Sequence, residues 1–162
     1  MTVERTNKVG THRLRDSAVT SAKIADSTIT AGDLATNAIQ FELAVPLLTD
    51  SLSNSSTTPA AANERYLVSS ELLNHAKAAY FEISYDASAL TADGSAELYD
   101  VDAGAAVATI TLTAGTTSDR TRSADILSSL TAGNEVVARV AGDGTNSATL
   151  RAARLILVLG VS

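Results

Sequence analysis

The side chains that could do chemistry in this chain fall into three small groups. Arg120 and Arg122 flank Thr121 and point the same way on a strand, with Arg139, Arg151 and Arg154 following in later segments. Such a set could hold an anion or a glycan, although exposed-face charges neutralised by Asp119 and Asp125 are the simpler expectation. Tyr66, Tyr80, Tyr85 and Tyr99 could stack on sugars, but Tyr85 shares a strand face with Phe81 and Ile83 and is expected in the core. The third group is acidic: Asp93, Glu97, Asp100 and Asp102. Within it Asp100-x-Asp102-x-Gly104 has the oxygen alternation of a calcium loop without the closing glutamate, so a solvated hairpin is expected there.

Nothing else in the sequence points to catalysis. His12 and His75 stand alone, without a second ligand at metal spacing. There is no cysteine, no Gly-x-Ser-x-Gly elbow, no phosphate-cradling glycine loop and no paired-carboxylate signature for glycoside cleavage. The expectation is a protein that is not an enzyme and uses no metal or cofactor. Its formal charge of −6 argues against nucleic acid as a partner. The charge is uneven: over residues 1–23, five cations against Glu4 and Asp16 make +3, which leaves −9 for the rest. Arg5, Lys8, Arg13 and Arg15 therefore form a short basic arm suited to docking on an acidic protein surface. No aromatic residue interleaves them, as single-stranded nucleic acid would require. The N-terminus has no apolar core of the kind a signal peptide requires, and no apolar run reaches the length of a membrane span, so no membrane insertion is expected.

The elements that must position these residues are strands. Phe81, Ile83 and Tyr85 alternate with polar neighbours, as do Ala108, Ile110 and Leu112, and Val136, Ala138 and Val140. Thr149 to Leu159 ends as a nearly continuous apolar strand of the kind buried on both faces. Ala103-Gly104, Ala114-Gly115, Ala132-Gly133 and Gly142-Asp143-Gly144 mark turns between them. Phe41 to Leu48 is a first strand that Pro46 confines to an edge, Asp50 to Pro59 has loop composition, and only Ser69 to Lys77 has a helical pattern. Seven or eight such strands make residues 41–162 an all-β, antiparallel β-sandwich of jelly-roll type.

Residues 1–40 follow a different rule. Val9, Leu14, Val19, Ile24, Ile29, Leu34 and Ile39 occupy consecutive fifth positions, and the decamer from Asp16 is nearly repeated from Asp26. Five residues turn an α-helix by about 140°, and on a strand an odd step changes face each time, so neither element makes one stripe from this spacing. A pentapeptide-repeat β-helix would need small residues two positions earlier, where Asn7, His12 and Asn37 fit poorly. An extended stem in which several copies each give one apolar residue per pentad to a shared axis fits better than that or a linker. Burial there contributes roughly 1.5–3 kcal/mol per aliphatic side chain before entropy is subtracted.

The run Ala18-Val19-Thr20-Ser21-Ala22-Lys23-Ile24-Ala25-Asp26-Ser27-Thr28-Ile29-Thr30-Ala31-Gly32-Asp33-Leu34-Ala35 resembles the stem repeats of phage tail-fibre and head-fibre proteins. Leu98-Tyr99-Asp100-Val101 and Arg122 to Leu127 resemble strands of the small jelly rolls that cap such fibres. The resemblance implies a structural protein on the virion surface, a fibre or decoration protein of capsid or tail. It would be assembled in the host cytoplasm as a homotrimer, with the basic arm joined to other virion structural proteins. The rival expectation is a carbohydrate- or receptor-binding module whose loops contact host-surface glycans.

Overall fold

A computed structural model of the chain describes residues 40–160. The pentad positions Val9, Leu14, Val19, Ile24, Ile29, Leu34 and Ile39, and the basic residues Arg5, Lys8, Arg13 and Arg15, lie outside the described residues. In chain order the described strands are β1 (Gln40–Pro46), β2 (Leu52–Asn54), β3 (Ala60–Ala61), β4 (Tyr66–Leu67) and β5 (Ala76–Asp86). They continue with β6 (Gly94–Asp100), β7 (Ala105–Leu112), β8 (Thr117–Arg122), β9 (Glu135–Ala141) and β10 (Ala148–Gly160). A short helix, α1 (Ser70–His75), joins β4 to β5 and is capped by the Ser69 hydroxyl.

Two antiparallel sheets result. The first runs β1-β10-β5-β8, with β2 continuing the β1 edge farther along β10. The second runs β3-β9-β6-β7, with β4 continuing the β3 edge along β9. Taking β1 with β2, and β3 with β4, as single positions leaves eight. The first then pairs with the eighth, the second with the seventh, the third with the sixth and the fourth with the fifth. That nested pairing is the connectivity of a jelly roll.

The core follows from the alternation read in the sequence. Phe81, Ile83 and Tyr85 point inward from β5, Ile110 and Leu112 from β7, and Val136, Ala138 and Val140 from β9. They meet Leu150, Leu155 and Leu157 of β10 and Leu98 of β6 between the sheets. β10 is buried on both faces over its apolar end, where even the outward-facing Ile156 is 2% exposed. Pro46 ends β1 on the sheet edge, where its missing N–H costs no ladder bond. Gly104 and Gly115 turn the chain at φ of 67° and 74°, conformations that suit a residue without Cβ.

Two expectations need correction. The segment Asp50 to Pro59 is not loop throughout, because Leu52–Asn54 pairs with β10. Asn54 there uses its side chain as the turn former, donating Nδ2 to the Thr58 carbonyl at 2.8 Å and to the Val140 carbonyl of the other sheet at 2.9 Å. Arg122 to Leu127 is not one strand, since β8 stops at Arg122. Beyond it the Ser123 hydroxyl and the Asp125 carboxylate accept the Phe81 and Ala79 N–H groups at 3.0 and 2.9 Å, while Ser123 N and Ile126 N still donate to the Phe81 and Ala79 carbonyls, so side chains stand in for half of the ladder.

Candidate functional site

The chemically richest surface lies on the outward face of the first sheet, where alternation places Tyr80, Glu82 and Ser84 of β5 opposite the core residues Phe81 and Ile83. Antiparallel register aligns Arg154 of β10, Glu82 and Arg122 of β8 in one cross-strand row. A bulge lets Asp119 and Arg120 oppose the single Ser84, and Arg120 also reaches Glu82. The Glu82 carboxylate accepts Arg120 Nε at 2.6 Å and Arg122 Nε and NH2 at 3.0 and 2.8 Å, all on Oε2. Arg154 stands 3.6 Å from Oε1, beyond hydrogen-bond length. Glu82 is 5% exposed. Burial pushes its carboxyl up, but the hydrogen bonds from Arg122 and Arg120 outweigh that and hold it below the usual glutamate range.

Glu42 completes the cluster from β1. Its carboxylate takes Arg122 NH1 and NH2 at 2.8 and 3.1 Å, a two-pronged pair that joins the two edge strands of the sheet over its face. Arg122 also covers the Tyr80 ring at 5.0 Å. Hydrogen bonding to Glu42 raises the Arg122 guanidinium above its ordinary range and lowers Glu42 below its own. Beside this strap lies a cleft of about 270 Å³ lined by Glu42, Glu82, Asp119, Arg120 and Arg154, with the exposed Ala44 and the buried Ile156 beneath them.

Of the five arginines singled out in the sequence, the fold thus brings together Arg120, Arg122 and Arg154. The expected neutralisation of Arg120 and Arg122 by Asp119 and Asp125 is replaced by pairing with Glu82 and Glu42. Asp125 instead accepts the Ala79 and Leu127 backbone N–H groups, which lower its carboxyl. Arg151 pairs with Asp86 at 2.6 Å. Arg139 belongs to the second sheet, where it lies 3.6 Å from Glu97 and 4.0 Å above the Tyr99 ring. Of the tyrosines, Tyr85 is core and Tyr66 is half-buried, which raises its phenol.

The acidic cluster serves turns. Asp100, 3% exposed, accepts Ala103 N at 2.8 Å and Asn134 Nδ2 at 2.8 and 3.1 Å, and Asp102 accepts Glu135 N at 2.7 Å. Asp93 accepts Ala114 N at 2.9 Å. His75 closes α1. Among the described residues no three His, Asp or Glu side chains converge as a metal ion would need. Asp143, read in the sequence only as part of a turn, is the most heavily bonded carboxylate among the described residues. It accepts Thr145 N and Asn146 N of its own loop at 2.8 and 2.6 Å, and Thr91 N and Oγ1 of the β5–β6 loop at 2.8 and 3.0 Å. Backbone N–H groups of Asn146 and Thr91 hold its carboxyl far below the usual range. The signal was present in Gly142-Asp143-Gly144, where an aspartate between glycines favours an Asx turn.

Fold and surface together define a jelly-roll domain with one charged, strapped sheet face. No family model matches the chain, and no curated protein sequence matches it.

Proposed function

We propose that this chain is a structural protein of a virus-particle surface, a fibre or decoration protein that assembles as a homotrimer. The pentad residues Val9, Leu14, Val19, Ile24, Ile29, Leu34 and Ile39 pack around a shared axis, Arg5, Lys8, Arg13 and Arg15 anchor the arm to other virion proteins, and the jelly roll is the outward head. The observation that carries this reading is the sevenfold apolar register running up to an edge strand of a jelly roll. A period of five gives one chain no face on which to bury those side chains, whereas symmetry supplies one. The polar chemistry of the head supports a structural role as well: Asp100, Asp125 and Asp143 are engaged by backbone N–H groups at turns.

The test is the solution mass of the full chain and of residues 41–162, by light scattering coupled to size exclusion. Three chain masses falling to one on truncation is the expected outcome. A full-length monomer would return residues 1–40 to the status of a linker and remove the proposal.

A further inference from the structure

The cleft on the outer face of the first sheet is built differently from the other ion pairs of this surface. Arg122 is fully engaged by Glu42 and Glu82. Arg120 gives Nε to Glu82 while its side chain stays 63% exposed, and its NH2 is 3.9 Å from Glu42. Arg154 is 52% exposed and stands too far from Glu82 for a hydrogen bond. Two guanidiniums therefore present donors to the same cleft.

Acceptors stand beside them, since Glu42 and Asp119 also line the cleft. Ala44 and Ile156 are register partners on β1 and β10; Ile156 is buried, and the exposed Ala44 methyl is the apolar surface the cleft offers. The lining residues set Arg120 and Arg154 against Glu42, Glu82 and Asp119, a net charge of −1 that disfavours an anion. An anion would meet three carboxylates here. A neutral polyol meets donor and acceptor side by side, and a C–H group of it can rest on the Ala44 methyl. We infer that the cleft binds a neutral saccharide. Its volume of about 270 Å³ is just under the roughly 300–1,000 Å³ of drug-sized sites, which suits one or two sugar rings. The inference goes beyond assembly and holds whether or not the chain trimerises.

The full chain would be titrated with the methyl glycosides of glucose, galactose, mannose and N-acetylglucosamine, and with glucuronate and phosphate as anions, followed by amide chemical shifts. The expected result is saturable shifts at Ala44, Arg154 and Ile156 with at least one neutral glycoside, at a Kd on the order of 1 mM. Arg154→Ala and Asp119→Asn should each weaken that binding about tenfold, and Thr109→Ala on the second sheet should leave it unchanged. All three positions are exposed, so the variants keep the fold, which their melting curves would check. Absence of saturation by every neutral glycoside, shifts clustered elsewhere, or saturation by the anions alone would each overturn the inference.

Discussion

Glu82 and Asp143 show how the same residue type settles into different work. Glu82 is a buried carboxylate among guanidiniums, so removing its charge leaves Arg120 and Arg122 facing one another across a desolvated spot. Glu82→Gln should lower stability by about 1–3 kcal/mol in urea unfolding at neutral pH. Because its folded-state carboxyl lies below the ordinary value of 4.5, its contribution is complete above that value and is lost as pH falls through the lower folded one. The variant should therefore lose less stability on acidification than the parent does. Asp143 holds two loops through backbone N–H groups. Asp143→Asn should raise hydrogen exchange at Thr91, Thr145 and Asn146 without moving exchange in the β5 core. Unchanged exchange at Thr91 would show that the β5–β6 loop is held by something else.

At the scale of the elements, β5 carries the clearest contrast. Phe81 is fully buried and Tyr80, its neighbour, lies on the charged outer face beneath Arg122. Phe81→Ala should cost about 3–5 kcal/mol through the cavity it leaves, and Tyr80→Ala less than about 1.5 kcal/mol; equal losses would mean the sheet faces are wrongly assigned. That alternation was legible in the sequence because it rests on period two alone, and the same holds for β7 and β9, whereas β10 was legible as a continuous apolar run. The segments β2, β3 and β4 were not legible. They are two or three residues long, too short to show a period, and only the length of β10 and β9 gives them a ladder to join. The partners of Arg120 and Arg122 were hidden for a related reason. Near neighbours Asp119 and Asp125 are the local choice, whereas Glu82 and Glu42 come within reach only once the third position pairs with the sixth and the first with the eighth.

Over the whole molecule the question is where self-association would arise, since the pentad row and the free sheet edges both offer routes. Most edges of the described body are guarded against pairing with another chain. β1 carries Glu42 and ends in Pro46, β8 carries Asp119, Arg120 and Arg122 with a bulge, and β2, β3 and β4 are too short to serve as templates. β7 differs: Ala105–Leu112 has neither a charge nor a proline. Ile24→Asp together with Ile29→Asp puts two charges per copy into the proposed shared axis, where burying them unpaired is prohibitive. The double variant should run as one chain mass in light scattering while its β-sheet circular dichroism and melting point stay those of the parent. An oligomer that survives the double substitution would move association from the pentads to the body. Thr109→Lys, which places a charge on the exposed side of the β7 edge, should then dissolve it. If only the pentad variant dissociates the chain, the fivefold spacing is the assembly code and the β7 edge is harmless at working concentration.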